Sequence, residues 1–143
     1  MTFLLDVNVL IALIDPAHID HERAHGWFAT TASQSWSTCP LTENGTLRIL
    51  SSSRYPNSPR RPAVVADALK ELQKIPGHVF WPDDISLFDP ERLDLTRLMT
   101  TGQVTDSYLL ALALAHDGKL ATFDRRLIVN AVHNGAQGLH IIP

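Results

Sequence analysis

Short apolar stretches alternate along this chain with segments whose apolar residues recur at helical spacing, and acidic residues stand where one gives way to the other. Residues 2–6 read as a buried strand, followed by a short apolar helix over about 8–14 that stops at Asp15-Pro16. A more polar amphipathic helix over 20–32 carries Trp27 and Phe28. Residues 35–39 read as a second strand, and Pro40 suits the turn into a helix bearing Glu43, Leu47, Ile49 and Leu50. Three prolines make 55–62 a loop, after which Val65, Ala68, Leu69 and Leu72 restore a helical pattern over 62–75. Pro76-Gly77 ends that helix and 78–81 form a third strand. A short helix over 90–99 breaks at Thr100-Thr101-Gly102, and Thr105 then caps a helix apolar nearly all round, the mark of a central, buried one. Asp117-Gly118 turns into a strand over 119–123, 125–134 form a last helix, and 139–142 close the sheet. Strands alternating with helices predict an α/β domain with a mostly parallel sheet.

Length adds that 1–143 form a single domain with room for a real core. The longest unbroken apolar runs, 9–14 and 109–115, fall far short of the ~20 residues that span a bilayer, so no membrane is expected. The first apolar run is cut at once by Asp6 and lacks a basic flank, unlike a signal peptide. Cys39 is the one cysteine, which excludes an internal disulfide and favours a cytoplasmic home. A formal charge of −3 argues against a general nucleic-acid coat, yet leaves open an enzyme whose acids are concentrated in one site.

Four acids define that candidate site. Asp6 closes the first strand, Glu43 sits in the helix after the second, Asp106 opens the central helix and Asp124 closes the strand over 119–123. In a parallel α/β sheet such positions line one crevice, so distant carboxylates can meet there. Taken singly, each acid is explained by the partial positive charge of a helix start. Together they suggest a hard divalent cation, because like charges crowded in a partly dry site repel one another. Thr122, two residues before Asp124, points to the same face and can orient a carboxylate, as can Asn8.

These residues carry a family resemblance. Leu5-Asp6-Val7-Asn8-Val9-Leu10, Leu41-Thr42-Glu43-Asn44, Val104-Thr105-Asp106-Ser107-Tyr108-Leu109 and Leu120-Ala121-Thr122-Phe123-Asp124 resemble, in order and separation, the PIN-domain ribonucleases and among them the VapC toxins. The resemblance spans essentially the whole chain. It implies a PIN-like α/β/α sandwich around a central, mostly parallel sheet of four or five strands. It also implies a catalytic quartet of Asp6, Glu43, Asp106 and Asp124, with Mg²⁺ or Mn²⁺ on Asp6, Asp106 and Asp124. The activity implied is endonucleolytic hydrolysis of RNA leaving 5′-phosphate and 3′-hydroxyl ends, in a homodimer restrained by a cognate antitoxin. One departure is Arg126, two positions after Asp124, where some relatives carry a further acid that would serve a second metal.

Substrate binding is expected from Arg48, Arg54, Arg60 and Arg61, clustered after Glu43, although a solvated arginine surface explains them equally well. His18, His21 and His25 share a helical face, but without cysteines a zinc site is the minor reading. Asp83-Asp84 reads as a turn and helix cap, and the scattered Trp27, Trp36 and Trp81 as packing. Two rivals to the nuclease are a phosphatase passing through an aspartyl-phosphate and a non-catalytic RNA-binding module. The first wants a second aspartate where Asn8 stands.

Overall fold

The computed structural model describes all of residues 1–143. β1 (Phe3–Leu5) lies at the centre of a five-stranded sheet, with β2 (Trp36–Thr38) and β3 (His78–Phe80) on one side and β4 (Lys119–Thr122) and β5 (Leu139–Ile141) on the other. Every pairing is parallel, Leu5 lying opposite Ala121 and Thr38 opposite Phe80. The chain builds outward from β1 through β2 to β3, then returns to the other flank of β1. The strand order therefore reverses between β1 and β4, the position beyond whose carboxyl ends open α/β sheets bind their ligands.

Helices cover both faces, because alternate strand residues point opposite ways. Phe3 and Leu5 pack with α1 (Val7–Ile14), α2 (His21–Trp27) and α4 (Pro62–Gln73) through Val9, Leu10, Leu13, Trp27 and Leu69. Leu4 and Leu120 pack on the opposite face with α5 (Gly102–Ala115), which buries every residue from Leu109 to Ala113. Trp27, Trp36 and Trp81 are all buried, as expected of packing residues. α3 (Pro40–Leu50) lies against α1: Gly45 meets Val7 so closely that a β-carbon there would fall 2.8 Å from Val7 Cγ2, and Leu50 packs with Ile11. α2 runs on into a wider π turn, Phe28–Ala32.

The structure corrects four local expectations. No helix forms over 125–134; that stretch is turns and extended chain, and 90–99 holds only a 3₁₀ turn at Leu95–Arg97. The reason is mutual. Leu93 and Val132 form an antiparallel bridge, the Asp94 N–H donates to Ala131 O at 2.8 Å, and the His133 N–H donates to Arg92 O at 3.0 Å. Each segment thus satisfies the other's backbone, and the β-branched Ile128, Val129 and Val132 resist a helix in any case. α5 begins at Gly102 rather than at a Thr105 cap, with Gln103 Oε1 accepting the Met99 and Thr100 N–H groups to shape the entry. Asp84 caps no helix; it pairs with His116 at 2.9 Å.

Candidate active site

Asp6 is where β1 becomes α1. Its extended backbone turns into the helix, Oδ1 accepts the Val7 N–H at 2.8 Å, and Oδ2 accepts the Thr122 hydroxyl at 2.8 Å. Only 8% of Asp6 is exposed, and this burial drives its carboxyl pKa upward; the bonds from Thr122 and Val7 oppose the shift, and the charge of Asp124 adds to it.

Thr122, fully buried at the end of β4, is the hub. Its one proton goes to Asp6, while its oxygen accepts from Asn8 Nδ2 at 3.0 Å and from the Asp124 N–H at 3.1 Å. A hydroxyl has one proton and two lone pairs, so Thr122 is saturated. Asn8 Oδ1 in turn accepts the Phe123 N–H at 3.3 Å. One hydroxyl therefore locks the ends of β1 and β4 together across more than a hundred residues. Asn8 is spent on this scaffold and carries no carboxyl, which removes the proton donor that an aspartyl-phosphate mechanism needs.

Asp124 stands exposed just past the hub, its Oδ1 accepting the Arg126 N–H at 2.9 Å. Asp106 faces it from the second turn of α5, too deep in the helix to be an ordinary cap. Its carboxyl is pushed up to about 6, first by burial and then by the charges of Asp6 and Asp124. These three acids therefore feel one another. All five ion pairs of the chain lie elsewhere, so no cation neutralises them.

Glu43 stands apart from this trio. It lies in the first turn of α3, half-buried, with Oε2 accepting from Gln73 Nε2 at 2.7 Å. Its charge acts on His78 at the head of β3 and is absent from the influences on Asp106. The structure thus brings Asp6, Asp106 and Asp124 together and places Glu43 on the β2–β3 side of the crevice. No three acidic, histidine or cysteine side chains converge closely enough to enclose an ion. An uncompensated carboxylate trio still fits Mg²⁺ or Mn²⁺, since Mg²⁺ keeps several of its waters and needs only one or two direct carboxylates.

The arginines divide. Arg48 and Arg54 line one cavity of about 270 Å³ together with Tyr55, whose hydroxyl bonds to Asp15 at the far end of α1 from Asp6. Arg60 has a left-handed backbone (φ 58°) and Arg61 precedes α4, both exposed. Arg125 and Arg126, which the pattern of arginines after Glu43 does not include, sit exposed in the turn directly after Asp124. Their adjacency to that acid is the sequence signal that marks them. The histidine group is structural: His21 Nδ1 and His25 Nε2 bond to Ala12 O and Leu13 O, carbonyls left open at the end of α1.

Comparison with known proteins agrees with this architecture. The PIN domain family matches residues 3–132. Ribonuclease VapC44 of Mycobacterium tuberculosis is 45% identical over 141 residues, covering 99% of this chain and 98% of the relative. Among solved structures, VapC20 of Mycobacterium tuberculosis, a toxin that cleaves the sarcin-ricin loop, superposes with a TM-score of 0.64 at 14% identity over 99% of both chains. VapBC2 from Rickettsia felis, bound to a DNA fragment from its promoter, gives 0.58 at 13% identity, covering 88% of this chain and 90% of that one. With its fold matched throughout and its sequence nearly half identical to a VapC ribonuclease from end to end, the chain belongs to the PIN domain family, among the VapC ribonucleases.

Proposed function

We infer that this protein is the toxin of a toxin–antitoxin pair, an endoribonuclease that hydrolyses RNA phosphodiester bonds at the crevice between β1 and β4. The observation that carries the reading is the trio of Asp6, Asp106 and Asp124, whose charges act on one another, with Asp6 and Asp106 partly dehydrated and none paired with a cation. Carboxylates kept in that state need an external positive charge.

Asp6, Asp106 and Asp124 would hold Mg²⁺ or Mn²⁺, with waters completing the ion's shell. When bound, such an ion lowers the pKa of a coordinated water and offsets charge growing on the phosphoryl oxygens. Thr122 and the Val7 N–H hold one oxygen of Asp6 each and so fix the orientation of the carboxylate, whose remaining lone pairs would face the ion. Glu43 takes part from the opposite rim, where it orients the attacking water. Attack on phosphorus breaks the bond to the 3′ oxygen, leaving a 3′-hydroxyl and a 5′-phosphate. The named relatives support a protein antitoxin as partner; a homodimer and a cytoplasmic location complete the proposal.

The test is direct. The purified chain, incubated with RNA, should be inert in chelator and active again on adding Mg²⁺ or Mn²⁺, while Asp6→Asn stays inert. Cleavage that persists in chelator, or in the variant, overturns the assignment. Co-expression with the adjacent small open reading frame should relieve growth arrest by the toxin.

A further inference from the structure

Glu43 is fixed by a neutral side chain from a different helix. Gln73 closes α4, and its Nε2 donates to Glu43 Oε2 at 2.7 Å and to Thr38 Oγ1 at 3.1 Å. An amide nitrogen carries two hydrogens, and both are used. Thr38, accepting from Gln73, keeps its own proton for His78 Nε2, 2.8 Å away. The amide thereby ties the start of α3, the end of α4, the end of β2 and the head of β3 to one carboxylate.

A cation was at hand for the same work. Lys70, one turn earlier on α4, lines the same groove as Glu43 and Gln73, yet forms no ion pair. A lysine bound to Glu43 would neutralise it and engage its oxygens; the amide holds one oxygen and leaves the charge intact. Oε1 receives no hydrogen bond from the protein.

We propose that Gln73 is the positioning residue for Glu43, holding the carboxylate by Oε2 so that Oε1 is presented to the crevice. The role rests on the nuclease reading above, in which Glu43 handles the attacking water. Gln73→Met keeps the length of the side chain and its helix propensity while deleting the amide. With Mg²⁺-loaded enzyme, kcat should fall about tenfold, the scale for partners that orient a site carboxylate, and KM should stay within about twofold. In a Glu43→Gln background the same change should cost nothing further, because the two residues act as one unit. In protein labelled at glutamate side-chain carbons, the Glu43 carboxyl resonance should shift in Gln73→Met and hold still in the control Lys70→Met.

An unchanged kcat, or an equal loss in the Glu43→Gln background, overturns the proposal, the latter outcome marking Gln73 as scaffold only. Should the wild type itself cut no RNA, the nuclease reading fails, and the resonance arm still decides whether Gln73 holds Glu43.

Discussion

The two flanks of the crevice hold their acids by different means. On the β1–β4 flank one threonine hydroxyl, sealed from solvent, binds Asp6, Asn8 and the backbone of Asp124 at once. On the β2–β3 flank an amide at the end of a helix binds one oxygen of a half-buried glutamate and leaves the other free. Burial makes the first arrangement costly for a charged group, and each bond from Thr122 and Val7 offsets part of that cost. Such a carboxylate is suited to meeting a fixed positive charge. The second arrangement keeps Glu43 hydrated on one side, which suits a group that manages water. The metal-holding and water-handling roles proposed for the two flanks can be separated experimentally.

The largest effect belongs to the first flank. Asp6→Asn should lower RNA cleavage by roughly 10³-fold or more, since on the proposed mechanism the ion it would help hold contributes several kcal/mol to the transition state. Asparagine is as good a helix cap as aspartate and removes a buried charge, while its Nδ2 loses the bond from Thr122, so the folded circular-dichroism spectrum should be kept at about 25 °C. Thr122→Val comes next. It keeps the side-chain shape but strips Asp6, Asn8 and the Asp124 N–H of a shared partner, so activity or metal affinity should drop about 10–100-fold. Stability should fall by about 1–3 kcal/mol for polar groups left unpaired, read by denaturant titration. A Thr122→Val protein with full activity would dissolve the distinction between the flanks.

Asp106 gives a pH signature. Its carboxyl in the folded protein sits at about 6, above the ordinary 3.8, through burial and then the charges of Asp6 and Asp124. A raised acid binds its proton more tightly when folded, so the group's contribution to stability is complete below about pH 3.8 and lost as pH rises through about 6. Metal-free wild type should therefore gain stability from this group between pH 7.5 and pH 5. Asp106→Asn should remove that gain, melt a few degrees higher than wild type at pH 7.5, and cut no RNA. Parallel pH–melting curves for the two proteins would mean that the trio does not repel.

The Asp6–Thr122–Asn8 knot was legible in the sequence. Thr122 stood out as a hydroxyl able to orient a carboxylate, and an acid inside Leu4-Leu5-Asp6-Val7 had to find a partner. The period of two did not carry on to Asp124, because β4 ends at Thr122 and the chain bends at Phe123, so the hydroxyl serves Asp6. The parallel sheet was legible too, as short apolar runs alternated with helical ones. Gln73 left no such trace: its partner lies 30 residues away on another helix, and a glutamine ending a helix is unremarkable locally. The segment 125–134 misled because Leu127 and Ala131 repeat at helical spacing, while its backbone partners lay in the loop around Leu93, outside any local window. Gly102 misled as a helix breaker where it is the first residue of α5.

The smallest effect concerns which cations meet the substrate. Gly45 packs on Val7 and Leu50 on Ile11, so α1 and α3 run away from the crevice side by side, with Arg48 part-way along and Arg54, next to Tyr55, toward the far end. α1 is about 12 Å long from its start beside Asp6 to Asp15, the partner of Tyr55. Arg125 and Arg126 need no such reach, because the Arg126 N–H already bonds to Asp124, and neither forms an ion pair that RNA would have to break. On single-stranded RNA each lost phosphate contact should flatten the slope of log affinity against log salt by about 0.7. In an Asp6→Asn background that binds without cutting, Arg125→Ala with Arg126→Ala should flatten the slope by about 1.4. Arg48→Ala with Arg54→Ala should leave it unchanged. The reverse pattern would place the RNA along α3 and return the substrate rim to the arginines that follow Glu43.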